Sequence, residues 1–387
     1  MTYVIALILL VLSMSKKSKL FTYLLLIFMC ILVGFNYWNI DWDMYVYIYH
    51  TSFGWIGENL EVLYIGLNRI FLTWGIRFEI FWFLFLVSSL LLVYRAIHKY
   101  ASHQGLVLSL YFIYPFFING VQIRNFMAMG ILINAIPLLS EVKTDLSHYL
   151  KKFKKLKHKK MSDIVSKKAV RALFGRNEKK ILLYALLCLI AAGFHVGALF
   201  YLIFLVIPFV SIKTLLKWLV MGIPIVTFFS RFLLSLLFVW FPALQEDRIF
   251  AYFVDTSWMF QLGWLIYYLL MITIVLVLLQ RFRTNPYQKK ITKSFAETIV
   301  KANILVFVSY PLIINTIHFI RLLQNITVLN YILFVNALYF RKEKLKHDIL
   351  LYGGVLFVML LQIYFVYTGA SFDGVVRAFF EYNRIFR

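Results

Sequence analysis

The chain has 387 residues, of which 62% are hydrophobic, and it carries a formal net charge of +23. A soluble domain of this length could not remove so much apolar surface from water, so the composition excludes an ordinary soluble enzyme. Apolar runs of about 15 to 22 residues recur from end to end, and each has nearly the length that spans a hydrocarbon core. We therefore expect a single integral membrane domain over residues 1–387.

The apolar runs predict an all-α fold, a polytopic transmembrane bundle of about twelve helices. The predicted segments are 2–14, 20–36, 79–95, 105–118, 124–139, 181–194, 196–210, 218–241, 262–280, 298–314, 322–340 and 349–367. The segments 2–14, 181–194 and 196–210 are short, and each could be tilted, half-spanning or re-entrant.

Basic connections alternate with acidic or mixed ones along the chain. Lys and Arg accumulate on the cytoplasmic side of a membrane, so this alternation predicts a multi-pass protein of the cytoplasmic (inner) membrane with both termini outside the cytoplasm. The largest basic connection, residues 140–180, is then a cytoplasmic loop that lies on anionic lipid headgroups. This reading explains the positive charge without nucleic acid. Cys30 and Cys188 both fall in apolar segments, so two cysteines predict neither a disulfide framework nor a zinc site.

In this topology every Lys lies on the cytoplasmic side, and the cations left outside are all Arg. Membrane orientation does not require such a split. The planar guanidinium fork differs from an ammonium in gripping phosphate or carboxylate bidentately, so the outer Arg set predicts an anionic ligand. Pairing with the acidic residues of the outer loops is the alternative.

The first candidate site follows the second apolar segment, where Asp41 and Asp43 are separated by one residue. Two such carboxylates can share a divalent metal ion, or one can serve as a general base. We assign both as candidate catalytic residues and assign no metal. The Trp and Tyr residues around them suit an interfacial aromatic belt as well as sugar rings.

The second candidate site is the turn that leads from Asn119 through Gln122 to Arg124. Arg124 is predicted at the start of a helix, where free backbone N–H groups already favour an anion. A cation there opposes the helix dipole, so something negative is expected beside it. Gln122 and Arg124 are therefore candidate substrate-binding residues, and the alternatives for Arg124 are a side chain that snorkels to the membrane surface or a salt bridge to an outer acid.

The third candidate site consists of intramembrane polar residues. His195 lies where two apolar runs meet among small residues that permit close helix packing, and it is a candidate catalytic base. At helical spacing His318, Arg321 and Asn325 share one face, which must point to protein or water. Two further cations, Arg231 and Arg248, complete the candidate substrate-binding set. Structural hydrogen bonding is the alternative for each histidine.

At these residues the chain resembles the EpsG-like branch of the Wzy polysaccharide polymerases. The resemblance rests on Asp41-Trp42-Asp43-Met44-Tyr45, Glu61-Val62-Leu63-Tyr64-Ile65-Gly66-Leu67-Asn68, Gln122-Ile123-Arg124-Asn125-Phe126-Met127-Ala128, Phe194-His195-Val196-Gly197-Ala198-Leu199 and the segment from His318 to Leu323. The sequence departs from the family where Asn125 follows Arg124, where Val62 follows Glu61 and where Val196 follows His195. None of these departures removes a charged group.

The resemblance implies a glycosyltransferase with a GT-C-like membrane fold that makes capsule, exopolysaccharide or O-antigen. Its expected substrate is an oligosaccharide carried on polyprenyl (undecaprenyl) pyrophosphate, and its expected partners are a chain-length regulator and a flippase. No cofactor is expected, because the lipid diphosphate supplies the activation. Two other classes stay open: a flippase or transporter of lipid-linked oligosaccharides, and a membrane O-acyltransferase of surface glycans.

Overall fold

The computed structural model describes most of the chain. The described residues are 2–15, 18–54, 61–142, 178–229, 258–284, 290–313, 319–338, 346–367 and 372–386. Most of the predicted basic loop 140–180 lies outside these residues, as do Arg231, Arg248 and His318.

The regular structure of the described residues is helical, which confirms the predicted all-α fold class. The α-helices are α1 (Thr2–Ser15), α2 (Lys19–Gly34), α3 (Trp42–Thr51), α4 (Val62–Thr73), α5 (Phe78–Tyr100), α6 (Gln104–Ile113), α7 (Phe116–Val121), α8 (Ile123–Ser140), α9 (Glu178–Phe194), α10 (Ile212–Phe228), α11 (Trp258–Thr284), α12 (Lys293–Val306), α13 (Tyr310–Ile313), α14 (Ile320–Gln324), α15 (Thr327–Leu338), α16 (Lys346–Tyr367) and α17 (Ala378–Glu381). A 3₁₀ helix, Val196–Val206, follows α9, and a π-helix, Phe372–Arg377, precedes α17.

Among the described residues, four helices are long and apolar enough to cross a membrane. They are Phe78–Tyr100, Ile123–Ser140, Gln261–Thr284 and Lys293–Leu312, and shorter apolar helices surround them. These helices have the length and composition of a membrane protein. The number of crossings and the outward position of both termini stay predictions.

The helices depart from the predicted segments at several points, one of which is the segment 196–210, where the structure has the 3₁₀ helix Val196–Val206. The stretch between the second and third predicted segments contains α3 and α4, which have 10 and 12 residues and are too short for a hydropathy window. The segment 105–118 divides into α6 and α7 around Tyr114 and Pro115, and a proline ring prevents continuation of the helix. The segment 322–340 divides into α14 and α15 near Asn325, whose side chain bonds to another helix.

Buried amides join the helices of the core. Helix α8 packs against both α5 and α9, and α12 and α15 are linked by a reciprocal pair in which the Asn303 and Asn330 side chains donate to each other at 2.7 and 3.0 Å. Such amides satisfy one another where water is excluded, so they fix which faces of the helices meet.

The C-terminal segment fastens onto the connection between α2 and α3. Asn36 and Asn383 form an antiparallel bridge. The Tyr37 N–H donates to the Tyr382 carbonyl at 3.0 Å, and the Arg384 N–H donates to the Phe35 carbonyl at 3.0 Å. The C-terminal segment therefore holds the connection between α2 and α3 in place, and this connection carries Asp41.

Candidate functional site

A ladder of asparagines positions Asp41. The Asn36 side chain, which is buried, donates to the Ala378 carbonyl at 3.0 Å. The buried Asn39 amide donates to Asn36 Oδ1 at 3.1 Å, and Asn39 Oδ1 accepts from the Asp41 N–H at 3.0 Å. Asp41 is the N-cap of α3 and is partly buried. Its carboxylate is therefore held by a loop that the C-terminal segment supports.

Arg124 lies in the first turn of α8, as the sequence predicts. Its Nη1 atom donates to Glu61 Oε2, and Glu61 is the N-cap of α4. The guanidinium also lies over two aromatic rings, 5.6 Å from the centroid of Tyr45 and 5.8 Å from that of Tyr64. The anion expected beside this helix start is thus Glu61, and two tyrosine faces hold the fork in position by cation–π attraction.

His195 binds the other oxygen of the same carboxylate. Its Nδ1 atom lies 2.8 Å from Glu61 Oε1, and the Val196 N–H donates to that oxygen at 3.4 Å. The close approach of α9 to α4 requires Gly193, where a Cβ atom would lie 2.6 Å from Leu63 Cγ. The hydrogen bond to a carboxylate acceptor places the proton on Nδ1, so Nε2 carries the lone pair.

Arg321 approaches the same cluster from α14. Its charge acts on Asp41, on Tyr45 and on His195, as does the charge of Arg124. The two guanidinium groups come from distant parts of the sequence, and both are close to Asp41 and His195.

A second pair of amides fixes the relative position of the two arginines. Asn125, which follows Arg124, donates its Nδ2 to Asn325 Oδ1 at 3.0 Å, and Asn325 Nδ2 donates back at 2.9 Å. The Asn325 N–H donates to the Arg321 carbonyl at 3.0 Å. Asn325 therefore acts here as a structural link, and its role toward a substrate stays a prediction.

The charges of the cluster shift the pKa values of its acids and of its histidine. Burial raises the pKa of Glu61, but the Arg124 charge and the hydrogen bonds from His195 and Val196 outweigh it, and the pKa falls to about 2. Burial lowers the pKa of His195, and the two arginines lower it further against the opposing effect of Glu61. At neutral pH, Glu61 is therefore an anion and His195 is a neutral imidazole.

Burial also sets the state of Asp41. Burial raises the pKa of Asp41 above its usual range, and the charges of Arg321 and Arg124 oppose this shift without cancelling it. By contrast, Asp43 is exposed in the first turn of α3. Its negative charge there interacts favourably with the positive end of the α3 helix dipole. The structure thus separates the two carboxylates that the sequence treats as equivalent: one faces the arginines and the other faces out.

Gln122 is the N-cap of α8 and stands two residues before Arg124. Its Oε1 atom is buried and accepts no hydrogen bond from the described residues. A buried acceptor without a donor is costly. A donor group of a bound molecule, such as a sugar hydroxyl, would satisfy it.

Of the predicted site residues, the structure brings four together from four parts of the chain: Asp41, Arg124, His195 and Arg321. Arg231, Arg248 and His318 lie outside the described residues. The roles given to all of these residues stay predictions.

Sequence reasoning missed Glu61, Tyr45 and Tyr64 as parts of the site. Glu61 appears in the sequence as one acid among several on the predicted outer side. The signal that could have found it is the need for an anion beside Arg124 at a helix start. The sequence does not say which of the outer acids meets that need, because the contact joins residues 61 and 124 through the fold.

The arrangement can bind an anion and accept a proton. Two guanidinium forks in a poorly solvated place stabilise negative charge more than water does. A neutral imidazole beside them can take a proton from a hydroxyl group. The cluster therefore suits a reaction in which negative charge develops on a leaving group while a hydroxyl loses its proton.

A family model described as the EpsG family matches residues 3–152. This range contains Asp41, Glu61 and Arg124, whereas His195 and Arg321 lie beyond it. No curated protein and no solved structure matches the chain. The match confirms the predicted resemblance: over residues 3–152 this membrane protein is similar to the EpsG family, a family of Wzy-like polysaccharide polymerases.

Proposed function

We propose that the protein joins oligosaccharide units carried on polyprenyl pyrophosphate at the outer face of the cytoplasmic membrane. The observation that carries the proposal is the convergence of Arg124 and Arg321 on one cluster with Asp41 and His195. The similarity to the EpsG family gives the class of reaction, polysaccharide polymerisation.

In the proposed reaction a hydroxyl oxygen of the acceptor sugar attacks the anomeric carbon of the donor sugar. The bond from that carbon to the diphosphate oxygen breaks, and its electron pair leaves with the diphosphate. Arg124 and Arg321 stabilise the charge that develops there. The hydroxyl proton passes to His195 Nε2. The products are a longer lipid-linked glycan and a free polyprenyl diphosphate.

The structure favours His195 over the two aspartates as the base. Its Nδ1 atom is held by Glu61 at 2.8 Å, so its ring is oriented and its other nitrogen is an acceptor. Asp41 lies close to both arginines, whose charges oppose the upward shift that burial gives its pKa, and no hydrogen bond comparable to the one between Glu61 and His195 orients its carboxylate among the described contacts. In the proposal Asp41 instead orients the arginines, and Asp43 has no contact with the reacting groups.

The test is polymerisation by the purified protein in lipid vesicles. The substrate is a fluorescent oligosaccharide repeat unit on polyprenyl diphosphate, and the products are separated by size. The proposal predicts a ladder spaced by one repeat unit, with release of polyprenyl diphosphate in step with chain growth. Movement of the labelled lipid between leaflets without a ladder would instead identify a transporter. Acyl transfer to the glycan without a ladder would identify an acyltransferase.

A further inference from the structure

One carboxylate lies between the two halves of the proposed machinery. Glu61 Oε2 accepts from Arg124, and Glu61 Oε1 lies 2.8 Å from His195 Nδ1. The Glu61 side chain is only 9% exposed, against 26% for Arg124 and 19% for His195. Both of its oxygens are therefore engaged in a place that excludes most water, and neither neighbour can move without affecting the other.

The contact with Glu61 determines what His195 can do. A carboxylate acceptor on Nδ1 fixes the ring orientation and the tautomer, which leaves the Nε2 lone pair for a substrate proton. The space beside Nε2 is kept by Gly197, where a Cβ atom would lie 3.2 Å from Nε2. The reactive nitrogen thus faces a position that the chain leaves without a side chain.

The contact with Glu61 also determines where Arg124 points. The carboxylate holds one terminal nitrogen, and the rings of Tyr45 and Tyr64 lie against the guanidinium. A guanidinium fork fixed in this way presents its other N–H groups in one direction. An arginine that is already in place needs no reorganisation when charge develops on a leaving group.

We propose that Glu61 is a positioning residue that couples the diphosphate-binding Arg124 to the base His195. The inference rests on the proposed function and goes beyond it by linking the two steps. Diphosphate binding neutralises Arg124 and Arg321, whose charges both act on His195. The imidazole then feels the Glu61 carboxylate more strongly and becomes a better base when the donor is bound.

Among the described residues, the charged groups that act on His195 are Glu61 from the start of α4, Arg124 from α8 and Arg321 from α14. Glu61 strengthens the imidazole as a base and the arginines weaken it. Removal of the Glu61 charge should therefore shift the acid limb of the pH–rate profile, where His195 becomes protonated, to lower pH. A merely structural salt bridge would change stability and leave this limb in place. The pH profile therefore separates the two roles.

The experiment compares the purified variants Glu61→Gln, Glu61→Asp and Glu79→Gln with the wild type in the vesicle assay. Glu79 is the matched control, because this acid pairs with Arg77 and Arg384 away from His195. Glu61→Gln should lower kcat by up to about 10⁴-fold, the loss that follows when the carboxylate orienting a general-base histidine becomes an amide. It should also move the acid limb of kcat/KM to lower pH. Glu61→Asp keeps the charge and should keep the wild-type limb, and Glu79→Gln should match the wild type.

A folded Glu61→Gln with wild-type rates and a wild-type pH profile would overturn the inference. If this variant does not fold, the pH profiles of the wild type provide the test. The acid limb of the kcat profile should lie at higher pH than the acid limb of the kcat/KM profile, because kcat reports the donor complex and kcat/KM the free enzyme. Coincident limbs would overturn the coupling. A wild type that makes no polymer would refute the proposed function itself, which distinguishes the two failures.

Discussion

The reciprocal pair of Asn125 and Asn325 gives a prediction whose size follows from the structure. The two amides exchange hydrogen bonds of 3.0 and 2.9 Å, and the residues are 1% and 3% exposed. Each buried hydrogen bond contributes about 1 kcal/mol net, and polar pairs between membrane helices contribute somewhat less. We therefore expect a coupling free energy of roughly 1–2 kcal/mol between the two side chains.

The assay is a double-mutant cycle on reversible unfolding in mixed micelles. Asn125→Ala and Asn325→Ala should each lower the free energy of unfolding by about 2 kcal/mol, because each leaves the other amide buried without a partner. The double variant should lose clearly less than the sum of the two. Additivity within about 0.5 kcal/mol would refute the reasoning, since this is the behaviour of sites that do not interact.

A matched control separates stability from function. Asn303 and Asn330 form a reciprocal amide pair between α12 and α15, and no charged site residue neighbours it in sequence. Asn303→Ala should lower stability by a similar amount and leave the KM for the donor unchanged. Asn125→Ala should raise that KM, because Arg124 and Arg321 lose their common link. Equal effects of the two variants on KM would show that the Asn125 pair has no special role in placing the arginines.

Three further predictions concern the same cluster. Gly197→Ala should lower kcat about tenfold, a cost of roughly 1.4 kcal/mol, because it places a methyl group beside His195 Nε2. The control Gly222→Ala has open space around it and should match the wild type. Equal kcat values for the two variants would contradict the assignment of Nε2 as the reactive nitrogen. Tyr64→Leu should raise the KM for the donor several-fold, because a cation–π contact contributes about 0.5–2 kcal/mol. Tyr64→Phe keeps the ring and should give the wild-type KM. A Phe variant with a KM as high as that of the Leu variant would exclude the ring as the cause. Chelation of divalent cations should leave the rate unchanged, because guanidinium groups stabilise the leaving diphosphate, and a loss that magnesium restores would contradict this.

The sequence predicts the features of this protein that depend on local pattern. Apolar length predicts α5, α8 and α11, because a helix of that length and composition belongs in a bilayer. Position in the chain predicts Arg124 at a helix start, and its unfavourable place in the helix dipole predicts a neighbouring anion. These inferences need only the residues within one or two turns.

The rest depends on contacts between distant parts of the chain. Glu61 meets Arg124 and His195 only after α4, α8 and α9 have packed. Asp41 differs from Asp43 because the loop held by the C-terminal segment turns one carboxylate toward the arginines. Neither fact has a counterpart in spacing or composition, and the short helix α4 falls below the length that hydropathy detects.

The central claim is that two arginine forks grip the diphosphate, and the most direct test is replacement of each by lysine. Arg124→Lys and Arg321→Lys keep the charge and lose the planar fork, so each should reduce the rate of chain growth in vesicles by about 100-fold, the typical loss of a transition-state donor. Arg384→Lys, which alters an exposed pair with Glu79, is the control and should give the wild-type ladder. Wild-type ladders from both the Arg124 and the Arg321 variants would contradict the account.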